Sequence, residues 1–116
     1  MKTFVALLAF TLLSACASVT GQTPAQTVFA AKQSYAVALT AAVAYKHLPA
    51  CPTPAKVCSD PKVVAQLQKI DDASAALLDG AEVTVRAGGG NVQMAISAAT
   101  QAVAAFTSIT ATLSTK

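Results

Sequence analysis

Apolar residues recur at helical spacing in three separate stretches of the chain. The first stretch begins at Thr23, which can cap a helix; a proline follows it, and Gln26 completes a capping box. Lys46 and His47 suit the last turn because positive groups interact favourably with the helix dipole, and Pro49 ends the helix. The spacing predicts an apolar face that carries Val28, Tyr35, Leu39 and Val43, with Phe29 beside it.

Two further helices follow from the same kind of pattern. Asp60 can cap the second helix, which must end at the glycine run 88–90. Asn91 can cap the third helix. The apolar positions of both helices alternate at steps of four and three: Val63, Leu67, Ile70, Ser74, Leu77 and Ala81 in the second, and Val92, Ile96, Ala99, Val103, Phe106, Thr110 and Leu113 in the third.

Three helices with two short connections predict an all-α fold, a three-helix up-down-up antiparallel bundle that spans residues 23–116. No strand pattern competes with this interpretation. The chain length of 116 residues fits one small domain. Because only 5% of the residues are aromatic, the predicted core is thin and consists mainly of Val, Leu, Ile and Ala.

Residues 1–15 have the organisation of a secretory signal peptide. Lys2 gives a positive start, an apolar run reaches Leu13, and the small residues Ser14 and Ala15 precede Cys16. The segment Leu13-Ser14-Ala15-Cys16 resembles the lipobox of bacterial lipoproteins, in which a leucine and two small residues precede the cysteine that becomes lipidated. An ordinary signal peptide with a chance cysteine is the alternative.

The lipobox resemblance implies cleavage before Cys16 and acylation of that cysteine, with residues 16–22 as a tether. Two or more acyl chains anchor a protein stably, whereas one gives only marginal binding. In such lipoproteins an aspartate after the cysteine commonly signals retention in the inner membrane, but Ala17 stands there. The resemblance therefore implies the periplasmic face of the outer membrane.

Cys51 and Cys58 flank a proline-rich loop, and an oxidising periplasm would allow them to form a disulfide. With Cys16 acylated, the two remaining cysteines make an even number. Closing so small a loop should stabilise the protein by roughly 2 to 3 kcal/mol in the chain-entropy model. The alternative is a metal site with His47 as a third ligand, but the spacing matches no usual zinc pattern and the ligand set is incomplete. We therefore expect no metal and no cofactor.

The charge and hydropathy patterns indicate which kinds of binding partner the sequence does not favour. A net charge of +3 with only 11% charged residues is too small and too dispersed to indicate nucleic-acid binding. No run approaches the roughly 20 consecutive apolar residues of a membrane-spanning helix. All five acidic residues lie between Asp60 and Glu82, and an acidic stripe of Asp72, Asp79 and Glu82 is expected to face the lysines of the first helix.

Residue combinations typical of enzymes are largely absent, so we predict a non-enzymatic protein. His47 has no acidic neighbour in sequence and is interpreted as a helix-terminal residue. Asp71 and Asp72 point about 100° apart on a helix. Glu82 is expected to pair with Arg86 one turn later. The glycine run 88–90 lacks the strand and the lysine of a phosphate-binding loop and is interpreted as a turn.

The third helix has an unusual outward face, because it carries no charge between residues 92 and 114. Small neutral side chains permit close approach of a partner, so this face is a candidate interaction surface for an unknown envelope protein or a second copy; a plain soluble face is the alternative. Its members are Gln93, Ser97, Thr100, Gln101, Thr107 and Ser108.

The leading hypothesis is a lipid-anchored periplasmic module that acts through protein interactions or as an envelope structural element. The segments 26–48 and 59–69, with the Cys-Pro loop between them, are similar to small uncharacterised lipoproteins of proteobacteria and their prophages, which implies a role in phage lysis or superinfection exclusion. A third hypothesis is a small apolar ligand bound in a slot lined by Tyr35, Tyr45 and Phe106.

Overall fold

The structure, a computed structural model, describes residues 21–52 and 57–114 and contains three α-helices. They are α1 (Pro24–Lys46), α2 (Pro61–Ala87) and α3 (Val92–Ser114). Each helix packs against both of the others. The predicted three-helix bundle is therefore confirmed. The proposed signal peptide, Cys16 and residues 16–20 of the tether lie outside the described residues.

The ends of the helices form as the local sequence predicts. Thr23 is the N-cap of α1, its side chain accepts from the Gln26 backbone N–H at 3.3 Å, and its own N–H donates to Gln26 Oε1 at 2.9 Å. Asp60 Oδ1 caps α2 by accepting from Lys62 N–H at 2.8 Å. Gly88 ends α2 with φ +70°, a left-handed conformation that a side chain would strain.

Two clusters of buried side chains form the core. One lies near the start of α1 and joins all three helices through Val28, Ala31, Leu78, Ala81, Ile96, Ala99 and Val103. The other lies nearer the opposite end and contains Ala38, Ala42, Leu67 and Phe106. The first cluster joins the start of α1, the end of α2 and the start of α3, which gives the up-down-up topology.

The core-facing positions of α3 agree with prediction, whereas those of α1 and α2 differ in part. In α1 the expected face residues Val43 and Phe29 are exposed, while Ala31, Ala38 and Ala42 are buried. For Ala38 and Ala42 the physical reason is volume: the fully buried ring of Phe106 lies in the same cluster, and close packing then favours small side chains beside it.

In α2 the expected core residue Leu77 is 40% exposed, and its neighbour Leu78 is only 1% exposed. The buried positions run from Ser74 to Leu78 and then to Ala81, so a step of four replaces the assumed step of three. Leu67, Ser74 and Ala81 recur every seven residues, and at about 100° per residue Leu78 lies about 20° from Leu67 around the helix, whereas Leu77 lies about 80° away. The buried face of α2 is therefore centred closer to Leu78 than the predicted positions assumed.

We predict that the adjacent leucines differ sharply in their contribution to stability. Leu78→Ala removes a fully buried side chain and should lower the free energy of unfolding by about 2 to 5 kcal/mol. Leu77→Ala is the matched control and should cost much less, because part of that side chain remains in water. Urea unfolding followed by circular dichroism measures both; equal losses would contradict the assigned register.

Candidate functional site

Polar side chains between α1 and α2 form two separate contacts. Lys32 of α1 donates to Glu82 of α2, and Arg86 donates to the other oxygen of the same carboxylate. Asp79 lies 4.0 Å from the Lys32 ammonium. The expectation that acidic residues of α2 face a lysine of α1 therefore holds for Asp79 and Glu82, whereas Asp72 makes no ion pair within residues 21–52 and 57–114.

The Lys32–Glu82–Arg86 contact keeps the Glu82 carboxylate ionised. The hydrogen bond from Lys32, together with the positive charge of Arg86, lowers the pKa of Glu82 below its ordinary value. A carboxyl group with a lowered pKa is a poor proton donor at neutral pH. Because the two cations lie at its oxygens, this group fits an ion pair between helices and not an acid catalyst.

Asp71 takes part in the second contact, which the sequence analysis did not identify. The Tyr35 hydroxyl donates a hydrogen bond to Asp71 Oδ1, and the Tyr35 ring lies 5.8 Å from the ring of Phe106. The pKa of Tyr35 is raised from 10.0 to about 12, chiefly by burial and next by the hydrogen bond to Asp71. Tyr35 therefore stays neutral at physiological pH and links α1 to α2.

The three aromatic residues of the proposed ligand slot have other contacts. The rings of Tyr35 and Phe106 pack on each other, with their centroids 5.8 Å apart. A pocket of about 130 Å³ between α1 and α2 is lined by Phe106, but neither Tyr35 nor Tyr45 lines it. The Tyr45 hydroxyl accepts a hydrogen bond from the Asp60 backbone N–H at 2.9 Å. These contacts favour structural roles for all three residues.

The loop between α1 and α2 is held by several interactions. Cys51 and Cys58 lie at disulfide distance, with their Cα atoms 5.3 Å apart. Cys51 N–H donates to the Ser59 carbonyl, and Ser59 N–H donates to the Pro49 carbonyl, both at 2.9 Å. The buried Ser59 hydroxyl also donates to the Leu48 carbonyl at 3.0 Å. These contacts hold together the two described ends of the loop, residues 48–52 and 57–60.

His47 does not lie in a ligand set. It is the C-cap of α1, its backbone N–H donates to the Val43 carbonyl at 3.1 Å, and the residue is exposed. Among residues 21–52 and 57–114 there is no group of three or more His, Cys, Asp or Glu side chains that would hold a metal ion.

The outward face of α3 lies beside α1 at three of its six members, Thr100, Thr107 and Ser108. Five of its six members are exposed and Thr100 is partly buried. A groove of about 470 Å³ runs between the two helices; it is lined by Ala31 and Ser34 of α1 and by Thr100, Val103, Ala104, Thr107 and Ser108 of α3. We call this feature the α1–α3 groove. Its small and neutral lining could accept another helix at close distance.

Within the described residues, one helical segment, Val92–Leu113, is long and apolar enough to cross a membrane by length and composition alone. The sequence predicts no membrane-spanning helix when only uninterrupted runs of apolar residues are counted. Serine, threonine and glutamine interrupt the run, but the absence of charge keeps its mean hydropathy high. In the bundle, Ile96, Ala99, Val103 and Phe106 of this segment are buried against α1 and α2.

Comparison of the chain with protein-family models, curated proteins and solved structures gives no match. The functional interpretation therefore depends on the chain's own residues.

We predict that Tyr35 titrates at about pH 12 in the folded protein. In a Tyr45→Phe variant Tyr35 is the only tyrosine, so the ultraviolet absorbance of tyrosinate reports it directly. Adding Asp71→Asn should lower this pKa, because the negative charge that opposes ionisation is removed. An unchanged pKa in that double variant would contradict the assigned contact.

The same shift predicts the direction of a pH effect on stability. Between pH 10 and about 12 the unfolded chain loses the Tyr35 proton while the folded protein keeps it, so the free energy of unfolding falls as pH rises through this range.

Proposed function

We propose that this chain is a lipid-anchored periplasmic protein of the bacterial outer membrane that acts without catalysis, as an interaction or structural module of the cell envelope. The observation that carries the proposal is the segment Leu13-Ser14-Ala15-Cys16 at the end of an apolar run of signal-peptide length. The Cys51–Cys58 pair supports it, because disulfides form and persist in exported proteins.

The polar contacts of the bundle support a non-catalytic role. The Tyr35–Asp71 and Lys32–Glu82 contacts join α1 to α2. The first contact raises the pKa of Tyr35, and the second lowers the pKa of Glu82. Both shifts move the pKa value further from neutral pH, whereas general acid–base catalysis is most efficient when the pKa of the catalytic group lies near the working pH.

The α1–α3 groove is the surface that we assign to the interaction. Its lining of alanine, serine and threonine permits close helix approach, and α3 presents no charged residue that a helical partner would have to desolvate. A partner helix from an envelope protein, or α3 of a second copy, fits this chemistry.

Acylation of Cys16 is the first prediction of the proposed function. In cells that express the full-length chain and receive alkyne-tagged palmitate, the protein should be labelled and recovered with the membranes, because two or more acyl chains anchor a protein stably. Cys16→Ser should abolish the label, whereas the matched double variant Cys51→Ser/Cys58→Ser should keep it. Labelling of the Cys16→Ser protein would contradict the assignment.

A second prediction locates the interaction surface. A photo-crosslinking amino acid in place of Ser108, in the α1–α3 groove, should give one discrete adduct in the cell envelope. The same amino acid in place of Gln66, exposed on α2, is the control and should give none. An adduct of twice the monomer mass would identify a second copy as the partner. Equal adducts at both positions, or none at either, would contradict an interaction through this groove.

A further inference from the structure

One end of the bundle exposes a large apolar side chain from each helix. The exposed fractions are 64% for Phe29 of α1, 67% for Val83 of α2 and 73% for Met94 of α3. All three lie within five residues of the helix ends that meet there, which corresponds to about 8 Å along the helix axis. We call this set the apolar rim. It surrounds the connection 88–91, which has neither charge nor bulky side chains.

Single exposed apolar residues are ordinary, so the significance of the rim depends on its location. Among the described residues, the other strongly exposed large apolar residue is Val37, near the middle of α1; Val43, Leu77 and Val57 are 50% exposed or less. Three of the four most exposed large apolar side chains in the described part of the chain thus lie at the end of the bundle where the chain enters α1.

The two ends of the bundle differ in charge as well. At the rim end, the positive charge of Arg86 is paired with Glu82, which also binds Lys32. At the opposite end, the exposed Lys46 and Lys62 have no ion pair among the described residues. The charges of Lys32, Glu82 and Arg86 at the rim end are therefore in ion pairs, whereas those two lysines at the opposite end have none among the described residues.

The covalent distance from the proposed anchor favours the same end. Thr23 lies seven positions after Cys16, and a fully extended chain over those seven steps spans at most about 25 Å. A helix of 23 residues, such as α1, is about 35 Å long. An acylated Cys16 therefore keeps the rim end close to the lipid, whereas the opposite end reaches the membrane only if the bundle lies on its side.

We propose that the apolar rim rests in the interface of the membrane that holds the anchor, so that the bundle stands upright on the lipid surface. This inference rests on the proposed acylation of Cys16. Amphipathic segments bury their apolar side chains about 5 to 10 Å into the boundary between headgroups and acyl chains, which matches the depth of the rim. The upright orientation leaves the α1–α3 groove accessible along its length.

Tryptophan fluorescence tests the orientation directly, because the chain contains no tryptophan. The full-length acylated protein is reconstituted into vesicles of phosphatidylethanolamine and phosphatidylglycerol, with or without bromine on the acyl chains as a quencher. Phe29→Trp places the probe in the rim. Val37→Trp is the matched control on the same helix, with a similarly exposed side chain, and Ser108→Trp reports the α1–α3 groove.

We expect the emission of the Phe29→Trp protein to shift to shorter wavelength on vesicles and to lose intensity with brominated lipid. The Val37→Trp and Ser108→Trp proteins should show neither change. Quenching of Val37→Trp or Ser108→Trp as strong as that of Phe29→Trp would overturn the upright orientation and show a bundle lying on its side.

Co-flotation with the vesicles separates this inference from the proposed function. If the Phe29→Trp protein floats with the vesicles but is not quenched, the anchor holds and the apolar rim proposal is wrong. If the acylated protein does not float, anchoring itself is wrong and the rim proposal is wrong with it. Circular dichroism of each variant verifies that the helices are retained.

Discussion

The close approach of α1 to its two neighbours is the constraint on which the rest of the structure depends. This approach is possible because α1 presents Ala31, Ala38 and Ala42 to the core in place of longer side chains. Alanine buries little apolar surface, so much of the hydrophobic stabilisation must come from the larger buried side chains of α2 and α3, which are Leu67, Leu78, Ile96, Val103 and Phe106. A short distance between helices also brings Tyr35 within reach of Asp71 and Lys32 within reach of Glu82.

Features that depend on neighbouring residues could be predicted from the sequence, because their physical causes are local. The capping box at Thr23, the Asp60 cap and the stop at Gly88 each involve a few consecutive residues. The Cys51–Cys58 pair belongs to the same class, since seven positions separate the two residues. The helix count and the fold class follow from these boundaries and from the apolar spacing.

Features that depend on how the helices pack against each other were predicted only in part. The choice between Leu77 and Leu78 depends on where α2 meets both neighbours, and the exposure of Val43 depends on the space that Phe106 occupies. The contacts of Tyr35 with Asp71 and of Tyr45 with Asp60 join residues that are distant in the chain. A tyrosine on a predicted core face indicates that its hydroxyl needs a partner, but it does not identify that partner.

The uneven distribution of charge among the helices connects the fold to the proposed function. All five acidic residues lie between Asp60 and Glu82, and the hydrogen bonds of Asp71 and Glu82 to α1 hold the two helices together. The third helix is held mainly by buried apolar residues that pack on both neighbours, together with one hydrogen bond from the buried Ser74 hydroxyl of α2 to the Ala102 carbonyl at 3.5 Å. A neutral helix exposed to solvent contributes less to solubility than a charged one. In the proposed function, the neutral side of α3 beside the α1–α3 groove is the surface that a partner covers, and an anchor at one end of the bundle would present that surface to neighbours in the same membrane.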